Sequence, residues 1–383
     1  MKRVLIISEP GRDGVFVYVD GLIRHLHEKH PGIGVDLLYS SARPGPALPG
    51  LLAEVAARGG IARDLAVGNA PQPRDVRAWL MILQCVRERR PDIVHAHSSK
   101  AGALARIAGL FPGFPPVLYA PHAYYGMPCL GGIKERLYNG IESVLGRTAT
   151  THNTSGDERQ FAFGRLRLPP RSLVLIQNGV DVGRYAPADP EARRESRERL
   201  GLPPDVPVLV TVGRVSTQKN YPLLYQALDR FLPGSGVFFA HAGAGSTGMR
   251  ASLSQPARER SVCWEHLDEI EVLLRAADAF VLTSLYEGLS LSMLQALACG
   301  LSPILSDVLG HRTLAKLGFQ DVRWIALSSP SPLSSLLSAL ESWAAAPREN
   351  LAGQRRLALN FFDQSVQYEK VVRLYGHLAR WGR

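Results

Sequence analysis

The chain has 383 residues, 46% hydrophobic and 20% charged, which is typical of a soluble globular protein long enough for two domains. No uninterrupted apolar run approaches the ~18 residues of a membrane span, so the sequence predicts no transmembrane helix. The formal net charge is +10, and residues 1–180 hold 22 basic against 14 acidic side chains, whereas the remainder holds 22 against 20.

The basic first half suits an anionic membrane lipid, a phosphate-bearing acceptor or nucleic acid as partner, unless it only reflects an arginine-rich proteome. No helix-turn-helix, zinc-finger or aromatic RNA-binding pattern occurs, which argues against nucleic acid. Four scattered cysteines, at positions 85, 129, 263 and 299, lack metal-site or disulfide spacing and favour a reducing compartment. We therefore expect a cytoplasmic protein that is able to contact the anionic inner face of the plasma membrane.

The first half alternates short apolar runs with amphipathic stretches. The N-terminal MKRVLIIS is basic and then apolar, but its apolar part is too short for a signal peptide, so we predict a first strand. GVDLLY, DIVHAH and PVLYAPH follow as further strands, whereas YVDGLIRHLHEKH and RAWLMILQCVRERR have helical apolar spacing. Continuous apolar strands that alternate with helices predict a parallel sheet covered on both faces.

The same rhythm restarts after a charged, proline-rich segment at 185–206, which reads as a linker with a peripheral helix. PVLVTVGR, VFFAHAG and AFVLTS are the strands of this second half. The sequence therefore predicts an α/β protein with a first domain at 1–182 and a second at 183–360. A long amphipathic helix pattern ends the chain, at 361–383.

Two cations follow the strand PVLVTVG. Arg214 and Lys219 stand five residues apart at its carboxyl end, ahead of a predicted helix, where they can converge on one diphosphate. There they would stabilise the negative charge of a bound diphosphate. Taken alone, the same pattern also fits two ordinary surface cations.

The segment 283–300, TSLYEGLSLSMLQALACG, places the carboxylate of Glu287 beside Gly288 at the start of a predicted buried helix. A strand, a turn with glycine and a helix present backbone N–H groups to a phosphate. An acid at this place is better suited to accept hydrogen bonds from hydroxyl groups. A site for both a diphosphate and a polyol predicts a sugar nucleotide as ligand.

This segment resembles the Glu-x7-Glu signature of the family-four retaining glycosyltransferases with the GT-B fold. The usual form is S-x-x-E-G, then six residues and E-A-x-A-x-G, and the chain keeps all of it except the second acid, which is Gln295. Further matches occur in the expected order along the chain: RPDIVHAHSSKAG (90–102), YAPHAYYG (119–126), IQNGVD (176–181), VGRVSTQKN (212–220) and HAGAG (241–245).

The resemblance implies two Rossmann-like domains that face each other across a cleft, the first binding the acceptor and the second the nucleotide sugar. Arg214 and Lys219 would clamp the donor diphosphate, and Glu287 would accept a hydrogen bond from a hydroxyl of the donor sugar. The alternative role for Glu287 is a nucleophile that forms a glycosyl-enzyme intermediate. The C-terminal helix would cross back to the first domain; otherwise it caps the second.

The resemblance also implies donor-site roles for several other residues. His122, after the strand VLYAPH, would meet the donor sugar, although a core or capping histidine is the ordinary alternative. Backbone groups at the remaining positions would face the diphosphate or the nucleotide. These positions are Gly14, Gly243, Gly245, Gly288, Leu289 and Ser290.

Gln295 is the main departure from the family pattern. The second acid normally accepts hydrogen bonds from both ribose hydroxyls, whereas an amide offers one acceptor oxygen and two donors. If the site is buried, the loss is about 1–3 kcal/mol. The three explanations are weaker but active binding, a different nucleotide or ribose contact, and a catalytically poor homologue.

We expect no metal and no cofactor. His95 and His97 alternate on one strand and could share a metal, but no third ligand and no DxD motif is apparent.

The resemblance implies a retaining glycosyltransferase that moves a sugar, with UDP as the expected leaving group, to a glycan or lipid-linked acceptor in surface polysaccharide synthesis. A GT-B sugar-nucleotide epimerase and a non-catalytic partner in a glycan assembly complex are the alternatives.

Overall fold

The chain divides into two compact units, Met1–Asn178 with Ser365–Arg383 and Gly179–Gln364. Each unit is built around one parallel sheet, which confirms the predicted α/β class with two Rossmann-like domains. Cys129, one of the four cysteines considered above, lies outside the described residues. The computed structural model describes residues 1–9, 11, 13–42, 44–68, 71–128, 131–346 and 351–381.

The first unit alternates strands and helices along the chain. Its strands are β1 (Arg3–Ser8), β2 (Gly34–Tyr39), β3 (Ala62–Asp64), β4 (Ile93–His97), β5 (Val117–Ala120), β6 (Thr150–Asn153) and β7 (Leu173–Leu175). Its helices are α1 (Asp13–Lys29), α2 (Leu48–Ala57), α3 (Asp75–Arg89), α4 (Ser99–Ala108), α5 (Ile133–Leu145) and α6 (Gly156–Gly164). The sheet order is β3-β2-β1-β4-β5-β6-β7, so the winding direction reverses between β1 and β4.

The second unit repeats this architecture. Its strands are β8 (Val208–Val212), β9 (Phe238–Ala242), β10 (Ser261–Trp264), β11 (Ala279–Leu282), β12 (Ser302–Ser306) and β13 (Arg323–Ile325). Its helices are α7 (Pro190–Arg199), α8 (Tyr221–Ser235), α9 (Ser246–Ala251), α10 (Gln255–Glu259), α11 (Ile270–Ala276), α12 (Leu291–Ala298), α13 (Thr313–Lys316), α14 (Pro332–Ala345) and α15 (Leu351–Phe362). The order β10-β9-β8-β11-β12-β13 reverses between β8 and β11.

Both faces of the second sheet are buried, as the continuous apolar strands predict. Val208 and Val210 of β8 point into one core cluster, which also contains Leu294 of α12. Leu209, between them, points into the opposite cluster with Tyr221 of α8 and the fully buried Trp343 of α14. Period-two alternation therefore fixes which helices cover which face.

The segment predicted as a linker is an integral part of the second unit. Its helix α7 is bound through Asp278, whose carboxylate accepts from Arg193 at 2.6 Å and from Arg197 at 3.0 Å. The same carboxylate accepts the backbone N–H of Val208 at 2.9 Å. Two of the charges in this segment, on Arg193 and Arg197, thus pair with a buried carboxylate. The charge pattern alone cannot distinguish a helix bound in this way from a solvated linker.

The sequence predicts one long helix at the C-terminus, but the structure breaks it at Asp363, after α15, and continues with α16 (Gln364–Trp381). At the break Val180 pairs with Asp363 in a parallel bridge. The N–H of Val180 donates to Phe362 O at 2.7 Å, and its carbonyl accepts from Gln364 N at 3.0 Å. Helical periodicity alone does not reveal this pairing, because it involves residues far apart in sequence.

Two tyrosines attach α16 to the first unit. Tyr368 is buried and donates its hydroxyl to Tyr18 O at 2.9 Å. The Tyr375 hydroxyl lies 2.6 Å from His95 Nδ1. Residues 365–381 therefore belong to the first unit, where α16 contacts α1 and β4.

Candidate active site

Chemistry-bearing residues of the second unit gather where its sheet changes winding direction. Arg214 and Lys219 follow β8, and Glu287 follows β11, its neighbour in the sheet. Because parallel strands end at the same edge, these loops meet at the place where α/β sheets usually bind ligands. Arg214 is exposed there, whereas Glu287 is buried.

Lys219 and Glu287 form a direct ion pair. Lys219 Nζ donates to Glu287 Oε1 at 2.7 Å, and Ser284 Oγ donates to the same oxygen at 2.7 Å. Gln218 Nε2 donates to Tyr286 O at 3.0 Å and lies 3.5 Å from Glu287 Oε2. The carboxylate is thus held from two loops, and its second oxygen has the weaker contact.

Opposing effects set the charge of Glu287. Burial alone would raise the pKa of this carboxyl, but the Lys219 ammonium, His311 and the hydrogen bonds from Lys219 and Ser284 lower the pKa below its usual value. The group is therefore ionised at neutral pH. It contributes stability above the pKa of the unfolded chain, and this contribution is lost as the pH falls through the lowered value.

The loop after β12 completes the surroundings of Glu287. Gly310 has φ +91°, and a Cβ added there would lie 2.3 Å from Glu287 O and 2.6 Å from Gly288 O. Only glycine fits such an approach. His311, next in sequence, is buried and bonds through Nδ1 to Ser306 O at 2.9 Å. Sequence reasoning missed this loop, although its position after the apolar strand SPILS is a signal that could have found it.

The residues predicted to offer backbone N–H groups lie in the turn before α12. Gly288, Leu289 and Ser290 connect Glu287 to this helix, whose first residue is Leu291. Their amides are at the amino end of the helix, where the partial positive charge of its dipole favours an anion. Gln295 lies within α12 with a half-buried side chain.

Gly243 and Gly245 shape the loop after β9. A Cβ on Gly243 would lie 2.1 Å from Gly213 O, so this glycine lets the β9 loop touch the backbone that carries Arg214. Gly245, with φ +87°, would place a Cβ 2.9 Å from Val215 Cβ. Its N–H donates to the Glu265 carboxylate at 2.6 Å, so this amide already has a partner within the chain.

The two remaining predicted residues, Gly14 and His122, belong to the first unit. Gly14 is the second residue of α1 and is exposed, so it lies in the helix and not in the strand–helix turn where the sequence suggested it. His122 follows β5, and its Nε2 lies 3.0 Å from His97 Nδ1. Burial, with a smaller effect of His152, lowers the pKa of His122 to about 3, so its ring is neutral at physiological pH.

His95 and His97 are fully buried, with ring centroids 4.0 Å apart. Neither joins a group of three candidate metal ligands among the residues that the structure describes. His97 contacts His122 and His95 contacts Tyr375, so both are used inside the unit. His97 therefore contacts the ring of His122 directly. The alternating HAH pattern did not predict this contact.

The turn that carries His122 is held by a buried acid. His122 and Ala123 have φ +55° and +118°, which costs about 1–3 kcal/mol per residue. The Glu158 carboxylate accepts from Thr154 N at 2.5 Å and from Thr154 Oγ1 at 2.9 Å. Burial raises the pKa of Glu158 to about 7, although hydrogen bonds from Thr154 and the backbone of Ala123 and Ser155 lower it.

Replacing Glu158 by glutamine is expected to flatten the pH dependence of stability. Because the folded carboxyl holds its proton up to about pH 7 and the unfolded one releases it near 4.5, the wild type loses stability as the pH rises between these values. The loss is about 3 kcal/mol and should be absent in Glu158→Gln. Urea unfolding at pH 5 and 8 measures the change in unfolding free energy of wild type, of Glu158→Gln and of the control Glu28→Gln, at an exposed acid. The same change in all three proteins would contradict the prediction.

No helix in the described part of the chain combines the length and the apolar content needed to cross a bilayer.

Comparisons with known proteins identify both units. A family model described as Glycosyltransferase Family 4 matches residues 12–184, and one described as Glycosyl transferases group 1 matches residues 192–329. The glycogen synthase of Mycobacterium tuberculosis is 30% identical over 79% of this chain and 72% of its own. The structure of HepE from Anabaena in complex with UDP and glucose superposes with a TM-score of 0.78 at 17% identity, covering 98% of this chain and 100% of that one.

A bacterial galactosyltransferase is a further relative. The UDP-Gal:alpha-D-GlcNAc-diphosphoundecaprenol alpha-1,3-galactosyltransferase of Escherichia coli is 28% identical over 64% of this chain, and the match spans 65% of that protein. Two matched family models, a relative at 30% identity over 79% of this chain and the shared architecture agree with the motif around Glu287. The chain therefore belongs to the family-four glycosyltransferases of the GT-B fold.

Proposed function

We propose that this glycosyltransferase moves a sugar from a UDP-sugar to a hydroxyl of a glycan or lipid-linked acceptor, with retention at the anomeric carbon, in surface polysaccharide assembly. The name of the Escherichia coli relative, with a UDP-Gal donor and a diphosphoundecaprenol acceptor, supports the proposed UDP-sugar donor and lipid-linked acceptor. The UDP complex of HepE supports the choice of nucleotide.

The ion pair between Lys219 and Glu287 carries the proposal. Lys219 is positioned to neutralise charge on the diphosphate, and exposed Arg214 provides a second cation at the same sheet edge. The turn at 288–290 adds the amides of a helix amino end. An ionised, buried carboxylate beside these groups is suited to accept a hydrogen bond from a sugar hydroxyl.

The proposed reaction breaks the bond between the anomeric carbon and the diphosphate oxygen and forms a bond from that carbon to the acceptor oxygen on the same face. The acceptor proton passes to the departing diphosphate. Glu287 is a poor candidate for a nucleophile because Lys219 and Ser284 both donate to its Oε1. The cations stabilise the leaving group, whose charge grows in the transition state.

A panel of sugar nucleotides tests the donor assignment. A ligand that binds only the folded chain raises the melting temperature, so UDP and one UDP-sugar should raise it more than GDP- or ADP-sugars. NMR of the product anomeric proton then reports retention or inversion. Transfer from a GDP-sugar alone, or an inverted product, would contradict the proposal.

Gln295→Glu is expected to keep or raise donor affinity. A carboxylate can accept from two ribose hydroxyls where the amide accepts from one, and each recovered hydrogen bond contributes about 1 kcal/mol. Calorimetry with UDP measures the change, with the exposed Gln255→Glu on α10 as matched control. Loss of transfer in Gln295→Glu would contradict this interpretation of the position.

We further propose that helix α5 contacts an anionic membrane. It exposes an apolar stripe of Ile133, Leu137, Ile141 and Val144, with exposed fractions of 86, 60, 39 and 65%. Its acids point inward instead: Glu135 is buried, and Glu142 accepts from Arg106 and Tyr119. Exposed basic side chains flank the stripe, at Lys134, Arg136 and Arg147.

On α5 the apolar side chains are exposed and the acids point inward, which is the reverse of the usual surface pattern. This arrangement suits an interfacial helix, in which apolar side chains enter the headgroup region and cations face anionic lipid. Leu137→Asp should reduce co-flotation with vesicles that contain phosphatidylglycerol, by about tenfold in partition coefficient. Leu80→Asp, at a 54% exposed leucine on α3, is the matched control. Equal flotation of wild type and Leu137→Asp would contradict membrane contact through α5.

A further inference from the structure

Two histidines and one glutamate meet where α1 ends against α16, within the first unit. His25 Nε2 lies 2.9 Å and His30 Nε2 2.7 Å from the same oxygen, Glu369 Oε1. One ligand atom from each residue lies within 4.8 Å of the others, and among the described residues this is the group of three with that property. We propose that His25, His30 and Glu369 bind one Zn²⁺ ion that joins α16 to α1.

The donor set is the one that zinc prefers. Imidazole nitrogen and carboxylate oxygen bind Zn²⁺ at about 2.0–2.2 Å, and three protein ligands with one water complete a tetrahedron. The edges of such a tetrahedron are about 3.3 Å, from the same bond lengths. The present separations of 2.7 and 2.9 Å are only slightly shorter, so each side chain needs to move by a few tenths of an ångström.

The ligands are held by the fold before any ion arrives. His25 is buried on α1, and its ring lies 5.6 Å from the ring of Tyr368. Tyr368 precedes Glu369 and anchors that turn of α16 to Tyr18 O. Because His30 is 27% and Glu369 35% exposed, water and an ion can reach the site from solvent.

The ion would replace the two hydrogen bonds to Glu369. Each imidazole would then carry its proton on Nδ1 and present Nε2 to the metal. The glutamate charge and the ion together leave the site with a net charge of about +1. No group of the donor-sugar site takes part, so the zinc site is independent of the proposed transfer reaction.

The test is metal binding by the full chain after treatment with a chelator. Calorimetry with ZnCl2 should give about one ion per chain with a dissociation constant in the micromolar range, and Co²⁺ should give visible bands of tetrahedral coordination. Glu369→Gln and His30→Ala should each weaken binding at least tenfold. His266→Ala, which removes the exposed partner of Asp268, is the matched control and should bind like the wild type.

Binding weaker than about 100 μM, or binding unchanged in both Glu369→Gln and His30→Ala, would overturn the proposal. In that case the cluster is a hydrogen-bonded contact only. His30 is partly exposed at the end of α1, so His30→Ala is expected to fold. Its melting temperature without metal, compared with that of His266→Ala, verifies this before the titration is read.

Discussion

Glu287→Gln is expected to lower the rate of sugar transfer by about 10²–10³-fold while the protein stays folded. The amide keeps one oxygen that can accept from Lys219 and Ser284, so the local hydrogen bonds survive in part. The negative charge that, in the proposed reaction, accepts from a donor hydroxyl is lost. If this interaction is strongest as the glycosidic bond breaks, as proposed, the effect should appear mainly in kcat and less in KM.

A matched control separates loss of chemistry from loss of an ion pair. Glu191→Gln removes an acid whose side chain is 77% exposed and which lies 3.9 Å from Arg194 on α7. Such an exposed pair contributes little, so transfer by this variant should equal that of the wild type. If Glu287→Gln retains more than about half of the wild-type rate, Glu287 is not part of the catalytic site.

Lys219→Met is expected to abolish most transfer and also to destabilise the second unit. In the proposed site, removal of the ammonium takes a cation from the donor diphosphate, and we expect this to cost about 10²–10³-fold in kcat/KM. It also leaves the buried Glu287 carboxylate without its cation, which costs about 3 kcal/mol of unfolding free energy. Calorimetry with UDP should show weaker binding, whereas Glu287→Gln should leave UDP binding closer to normal.

The pH dependence of this variant identifies the cause. Without Lys219 the pKa of Glu287 rises, because burial is then opposed by fewer favourable interactions. The destabilisation relative to wild type should therefore be large at pH 7.5 and should shrink toward pH 5, where the carboxyl takes up a proton. The exposed Lys29→Met in the first unit should change neither stability nor transfer. A deficit independent of pH would assign the loss to packing.

The sequence predicts most of the sheet architecture because the strands are continuous apolar runs with helices between them. It also assigns Lys219 and Glu287 to one donor site, since both follow strands of the second half, but it does not predict a contact between them. The structure brings these two together as a direct ion pair at 2.7 Å. A local sequence pattern is therefore sufficient to predict the position of a residue that follows the end of a buried strand.

Other parts of the site depend on contacts between distant segments, which no local pattern contains. Gly310 is required because the β12 loop touches the backbone of Glu287, 23 residues earlier in the chain. Gln218 reaches Tyr286 across two strand ends. Glu158 lies on α6 and supports the turn at His122–Ala123, which is distant in sequence. The residues next to Glu158 in the sequence therefore do not indicate that role.

The break at Asp363 has a consequence for engineering. Gly179 and Gln364 are the first and last residues of the second unit, and a Cβ on Gly179 would lie 2.4 Å from Gln364 Cα. A polypeptide whose two ends meet in this way can be cut out, or rejoined by a short linker and reopened elsewhere, without stretching its backbone. Residues 179–364 are thus a continuous segment with which the second unit can be expressed by itself.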